Sequence, residues 1–411
     1  MTSAIGRRAD AGVLVGLLVV VASGLIYWLS NRQFDAGRGD FFYLAEAFLN
    51  GRTWLEFQPG PYDVIIASGR FYVPFAPFPA IALMPLVALI GAISADQIES
   101  GINAGLAAAS VGLCWMLLGR IGVRSLVDRL WLTILFGFST QILWITTRGG
   151  VWHTGQLIAT ILTFACLIEL WGRQRAWLIG LLAGFAFLTR APVAFAIPFY
   201  ALMLDGSGAA PSYAVAGGYV RTAVRSTRLR AWVLLGLGVV PSLVLFFAYN
   251  QARFGSPWES GYGLATLPPF LEFERAVGLF AVAHIATNID YFLLHVPSLM
   301  DAPPFFRPDG LGLSVLLTSP GLLFASRADW RRPRAWGLLG AAVAVLIPTL
   351  LYYGGGWLQF GYRYFLDSVP FVIALCGLAA VNTGRVGTGW RILILVGVVV
   401  MVGSVYWAYN I

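Results

Sequence analysis

The sequence predicts an all-α protein that crosses a membrane many times, and three observations carry that prediction. Of 411 residues, 58% are hydrophobic and 11% charged, whereas a soluble domain is about one-quarter charged. Apolar runs close to the ~20 residues a spanning helix needs recur from end to end. The basic residues fall in short clusters between those runs, as topology determinants do. The formal charge of +8 is therefore read as anchoring to anionic membrane lipid and not as a nucleic-acid footprint. The basic side chains other than histidine are all arginine, which excludes any chemistry needing a lysine nucleophile. Cys114, Cys166 and Cys376 lie far apart in apolar runs, so neither a disulfide framework nor a zinc spacing is present.

Taken in order, Arg7 and Arg8 precede an apolar run at 11–29. That run is long for a signal peptide and no small-residue cleavage site follows it, so an uncleaved first span with a cytoplasmic N-terminus is expected. Runs at 101–118, 127–147, 154–171, 232–250, 336–353, 364–380 and 392–409 are long enough to cross. Shorter runs at 177–189, 192–204 and 311–325 bring the expectation to about eleven crossings. The arginine clusters Arg120/Arg124/Arg129, Arg173/Arg175, Arg221/Arg225/Arg228/Arg230 and Arg327/Arg331/Arg332/Arg334 all fall in the cytoplasm if residues 78–93 do not cross. That proline-punctuated stretch is accordingly expected to be re-entrant or interfacial, buried against protein. Two regions result: 1–204, and 205–411 with a long acidic external loop at 251–310. Within that loop, 278–299 is expected to lie on the membrane or cap a cavity.

On this topology residues 31–79 lie outside, and they gather Asp35, Asp40, Glu46, Glu56 and Asp63 in a chain otherwise poor in carboxylates. Other outward loops add Arg148, His153, Arg190, Arg253 and Arg363 to Arg70 of the first. A few carboxylates facing several arginines suit group transfer at a membrane surface. Guanidiniums hold a phosphate bidentately, and a carboxylate removes the proton of an acceptor hydroxyl.

Each candidate also has a plain structural reading. Asp40 precedes Phe41, Leu44 and Phe48 at helical spacing and reads as well as a helix N-cap. Asp35 has no such local task and is the first candidate for a base. Asp63 follows Pro59, Gly60, Pro61 and Tyr62 and reads also as a turn residue; Glu46 and Glu56 read as polar faces. Arg148 and Arg253 read as snorkelling side chains. Arg190 and Arg363 sit between apolar runs, where an arginine is costly without a partner or cavity, although Arg363 and Asp367 have the (i, i+4) spacing of an ion pair. His153, beside Trp152, is a candidate phosphate contact or an interfacial hydrogen-bonding residue. Trp54, Trp152, Trp258 and Trp357 fall in outward loops and have the shape to stack on a sugar ring.

The chain resembles the GT-C superfamily of integral membrane glycosyltransferases, especially the clan of protein O-mannosyltransferases and lipid A aminoarabinose transferases. In that clan an Asp of the first external loop is followed by an amphipathic helix, a glycine, and an extended stretch into a Pro-Pro-like turn. The order here is Asp35, 41–49, Gly51 and GRFYVPFAPFPA at 69–80. LTRAPVAFAIP at 188–198 is similar to the family's Thr-Lys-Gly segment, with Arg190 at the basic position. The Asp-Glu pair usual in the family is absent, since Ala36 follows Asp35, and the resemblance thins beyond 204.

The resemblance implies a GT-C-like fold and an inverting transfer of sugar from a polyprenyl-phosphate donor to an extracytoplasmic hydroxyl of a lipid or glycan. It implies Asp35 or Asp40 as base; Arg190, Arg363, Arg70 and His153 as donor-phosphate contacts; and Asp63, Arg148, Tyr362 and Trp54 as substrate contacts. Family members differ in their use of a divalent metal, and with three histidines no ligand cluster argues for one. The rival readings are a lipid or sugar transporter, for which midplane charges on repeated halves are expected, and a surface-polysaccharide ligase built on the loop at 251–310.

Overall fold

The computed structural model describes residues 2–31, 38–204, 221–301, 306–356 and 358–408. Asp35 and Trp357 lie outside the described residues. The chain is a mostly helical membrane protein, with two short two-stranded hairpins among the described residues. Among the described residues, six helices are long and apolar enough to cross a membrane: Ala11–Ser30, Glu99–Ile121, Val151–Leu170, Arg228–Phe254, Pro333–Leu351 and Thr388–Ala408. Four shorter apolar helical stretches, Phe78–Ile90, Ala176–Phe187, Ala191–Met203 and Val369–Thr383, accompany them.

The long helices differ in what they face. Ala11–Ser30 is peripheral, with Val13, Leu17 and Val21 exposed as lipid-facing residues are, and it is tied to the bundle by Tyr27 Oη donating to the Gly137 carbonyl at 2.7 Å. Val151–Leu170 is central and mostly buried. One buried core runs across position 204, taking in Leu118, Leu135 and Leu167 with Val345, Leu375 and Ile394.

Several expected spans are broken in ways their polar residues explain. The run at 127–147 is not one helix: it divides into Leu126–Phe138 and Ile142–Ile145. At the break, Thr140 Oγ1 donates back to the Phe136 carbonyl at 2.5 Å and accepts from the Ile142 N–H at 3.4 Å, so a hydroxyl replaces main-chain helix bonds. The runs at 192–204, 311–325 and 364–380 likewise contain or adjoin 3₁₀ turns: Ala191–Ala196 and Pro320–Arg327, which open on or next to a proline, and Arg363–Asp367, which does not.

The Phe78–Ile90 helix has Pro85 inside it. Thirteen residues reach only ~20 Å at 1.5 Å each, against a ~30 Å hydrocarbon core. Its two flanks meet the same end of the bundle. The Phe78 N–H donates to the Leu188 carbonyl at 3.0 Å, while Asp96, within the following short helix Ala92–Gln97, accepts from Tyr43 Oη at 2.8 Å.

Residues 278–299 form broken helical turns over the end of Pro333–Leu351. The Ala281 N–H donates to the Leu351 carbonyl at 2.9 Å, and Asn288 Nδ2 to the carbonyls of Leu350 and Tyr352 at 3.0 and 2.9 Å. This segment thereby satisfies orphan carbonyls that the helix end leaves.

The bundle has two chemically different ends. At one, Arg175 pairs with Glu169 and Arg391 with Asp128, while Arg129 and Arg334 stack on Trp115 and Trp171. At the other end lie Asp40, Asp63, Glu99, Arg38, Arg190 and Arg363.

Candidate active site

The site begins at the Asp40–Leu49 helix. Its N-cap is Gly39, not Asp40, and no side chain caps it, so the N-cap reading of Asp40 is corrected. Asp40 is the first helical residue, fully buried, with Arg38 Nη2 2.9 Å from one carboxylate oxygen and Nε 3.4 Å from the other. Gly39 packs so closely on the Asp96 carboxylate that a Cβ there would collide with it. The Arg38 carbonyl accepts from the Val151 N–H at 3.0 Å, which docks the first outer segment onto the start of the Val151–Leu170 helix. Burial, with the charges of Asp63 and Asp96 adding to it, outweighs Arg38 and pushes the Asp40 carboxyl up to about 6.

Asp63 reaches the same place from a hairpin. Strands Ile65–Ala67 and Arg70–Tyr72 pair antiparallel through Ser68 and Gly69, at φ +51° and +72°, the positive pair a two-residue type I′ turn needs. Asp63 itself has φ +54°, a conformation uncommon outside glycine and tolerated by Asp. It is fixed there by its N–H donating to the Thr266 carbonyl at 2.8 Å, while the Thr266 N–H donates to Val64 at 2.8 Å. Turn residue and site residue are thus one and the same. Burial raises the Asp63 carboxyl above its ordinary range against the pull of the Arg38 and Arg363 charges and the Trp152 indole.

Trp152 is the hub of this end. The Arg38 guanidinium carbon lies 5.0 Å from its ring centroid and that of Arg363 5.9 Å. The loop ahead of Trp152 is held by Glu99, buried at the start of its helix, which accepts from the Gly150 N–H at 2.6 Å and from Thr154 Oγ1 at 2.7 Å.

Arg363 is buried (8% exposed), and among the described residues none accepts a hydrogen bond from its guanidinium. It stacks on Tyr364 at 5.1 Å as well as on Trp152, and feels the Asp63 and Asp367 carboxylates without bonding to either. The expected Arg363–Asp367 pair does not form. Residues Arg363–Asp367 are a 3₁₀ helix, and at three residues per turn positions i and i+4 point ~120° apart. Arg190 takes Asp367 instead, with Nε 2.8 Å from both oxygens.

The other candidates divide. His153 is buried within electrostatic range of Arg148 and Arg363, and Arg148 lies 5.5 Å from the Trp144 centroid. Arg70 is exposed on the hairpin and lies 3.8 Å over Trp54, and among the described residues no hydrogen bond or ion pair joins either side chain to Asp40 or Asp63. Tyr362 is fully buried in the core with its hydroxyl donating to the Thr349 carbonyl at 3.2 Å; its neighbour Tyr364 and Tyr262 are the phenols near Arg190. Arg253, read as snorkelling, is buried and donates to the Val73 carbonyl, Asn250 and the Ser260 carbonyl, so it braces the outer loops.

Sequence reasoning passed over Arg38 and Glu99. For Glu99 the usable signal is a charged residue opening an apolar helix, which is costly unless it has a job; Arg38 lies two residues ahead of a helix and carries no such signal. Among the described residues, no group of three or more His, Cys, Asp or Glu side chains is arranged to hold a metal ion. Comparison of the chain with protein-family models, with curated proteins and with solved structures finds no match.

Proposed function

We propose that this chain is a membrane glycosyltransferase that moves a sugar from a polyprenyl-phosphate donor to a hydroxyl of an extracytoplasmic lipid or glycan. The observation that supports this best is Arg363: a buried guanidinium to which no side chain or carbonyl among the described residues offers a hydrogen-bond acceptor, its Nε fully enclosed, within electrostatic reach of Asp63 and Asp367. Burying such a group without an acceptor is expensive, and an anionic phosphate supplies the missing acceptor. With the basic end of the bundle in the cytoplasm, this cluster faces outward.

The residues divide the work as follows. Asp40 removes the proton of the acceptor hydroxyl, and the freed oxygen attacks the anomeric carbon. The bond from that carbon to the phosphate oxygen breaks, and the configuration inverts. Polyprenyl phosphate leaves with its added negative charge against Arg363. Arg38 is shared: an arriving phosphate draws it from Asp40 and uncovers the carboxylate. A carboxyl at about 6 is ionised at neutral pH yet more basic than an ordinary Asp. Asp35 remains the alternative base.

The test is sugar release from a panel of polyprenyl-phosphate donors by purified protein. Asp40→Asn is expected to lower turnover by ~10²–10⁴ with donor binding retained, and Arg363→Gln by ~10²–10³. Loss with Asp35→Asn and not with Asp40→Asn moves the base to Asp35. A wild type that turns over no donor in the panel sinks the reading.

A further inference from the structure

At the opposite, basic end of the bundle lies a cavity of about 170 Å³ lined by Phe324, Arg327, Thr383, Arg385, Gly387 and Trp390. It is built where the Pro320–Arg327 turn packs against the loop between the Val369–Thr383 and Thr388–Ala408 helices. Phe324, buried, packs against Trp390 with the ring planes tilted by 52° and centroids 5.3 Å apart, and the pair forms an aromatic wall. The volume is that of about six waters at ~30 Å³ each, enough for a phosphate ester and too small for a large ligand.

What distinguishes the cavity is its charge. Three other arginines at this end have carboxylate partners: Arg175 has Glu169, Arg332 has Asp329 and Arg391 has Asp128. Arg327 and Arg385 have none among the described residues, and no carboxylate lines the cavity. Their main-chain carbonyls are instead used to fix the walls, accepting from Asn382 Nδ2 at 3.0 Å and Thr383 Oγ1 at 2.9 Å. Two unneutralised guanidiniums on one cavity favour an anion that takes several hydrogen bonds at once. Close in sequence to the lining residues Phe324 and Trp390, the apolar side chains of Leu323, Ile392 and Leu395 are each about half exposed, as side chains that meet acyl chains are.

We infer that this cavity binds the phosphate ester of an anionic lipid headgroup, with Arg327 and Arg385 as its ligands and the exposed Leu323, Ile392 and Leu395 side chains nearby against the acyl chains. This site is separate from the outward cluster, so the two readings fail independently.

The experiment is thermal unfolding of the full chain in a neutral detergent, with added short-chain phosphatidylglycerol, phosphatidylcholine or glycerol phosphate. Ligand that binds the folded state raises the midpoint by mass action. Phosphatidylglycerol is expected to raise it and phosphatidylcholine not. R327Q/R385Q is expected to lose the rise while keeping the neutral-detergent midpoint, and R124Q/R230Q, which removes as much charge from exposed positions off the cavity, is expected to keep it. If the double variant does not fold, R327Q and R385Q singly are each expected to lose about half the rise. A rise with glycerol phosphate, lost in the same variants, keeps the phosphate-ester site and makes its source soluble. No rise with either phosphate, or equal loss in R124Q/R230Q, overturns the inference.

Discussion

Arg190 Nε lies 2.8 Å from both carboxylate oxygens of Asp367, 177 residues away, and Asp367 is buried. The contact joins the Ala176–Phe187 and Val369–Thr383 helices at the end that carries Asp40 and Asp63. Removing one partner leaves the other charge buried without compensation, which costs ~3–5 kcal/mol for such pairs. Arg190→Gln and Asp367→Asn should therefore each lower the unfolding midpoint in detergent, and the double variant should recover most of the loss, since neutral partners no longer strand a charge. A double variant as unstable as the sum of the singles would show that the two residues act separately.

The pH profile of turnover follows from Asp40. Its carboxyl stands at about 6, raised first by burial, and a base works only when deprotonated. kcat/KM should then fall as pH drops through about 6, roughly tenfold per unit below it. Arg38→Gln removes the one positive charge bonded to Asp40, so its profile should shift to higher pH. A wild-type profile flat from pH 5 to 8 would remove Asp40 from the role of base.

How much of this was legible in the sequence depended on whether the signal was local. Composition and run length gave the all-α membrane class, because lipid rewards apolar surface wherever it lies along the chain. The carboxylates at 40 and 63 were visible for the same reason, as rare charges in an apolar chain. The partners were not. Asp367 pairs with Arg190 and not with Arg363 because a 3₁₀ turn replaces the expected α-helix, and no (i, i+4) count foresees that. The break at Thr140 was hidden because its hydroxyl bonds are short-range geometry within an otherwise apolar run. Tyr362 and Tyr364 share one segment but part in burial, and sequence spacing alone could not say which one enters the core.

Helix packing supplies a stability prediction with an internal control. Gly238 lies so close to the Ala176–Phe187 helix that a Cβ there would collide with the Trp177 carbonyl, whereas a Cβ at Gly236 meets nothing within 4 Å. Small residues at such crossings let two backbones approach in the membrane. Gly238→Ala should destabilise by ~1–3 kcal/mol through overpacking. Gly236→Ala, on the exposed face of the same helix, should be neutral or stabilise by up to ~1 kcal/mol from helix propensity. Equal effects of the two substitutions in thermal unfolding would contradict the close crossing.

His295 makes the outer loop sensitive to pH in a defined direction. Its Nδ1 lies 3.0 Å from Asp290 Oδ2 and its Nε2 2.8 Å from Asp309 Oδ2, and only the imidazolium donates from both nitrogens at once. Tyr291 packs edge-on against the ring at 5.6 Å. The two carboxylates raise the His295 pKa above its ordinary 6.5 although burial opposes them. A group whose folded pKa is raised contributes its full stabilisation below the unfolded value and loses it as pH climbs through the folded one. Amide protection of the Asp290–Leu294 turn, corrected for intrinsic exchange, should thus be greatest below pH 6.5 and decline above it. His295→Gln should lower the protection and flatten its pH dependence, because a neutral amide cannot carry the charge. The effect has a route inward: Asp309 accepts from the Leu311 N–H at 2.9 Å, Gln359 Nε2 donates to the Leu311 carbonyl at 2.6 Å, and Gln359 Oε1 accepts from the Arg363 N–H at 3.1 Å. Protection in the wild type that does not change between pH 5.5 and 8.5 would mean the ring is not charged in the folded protein.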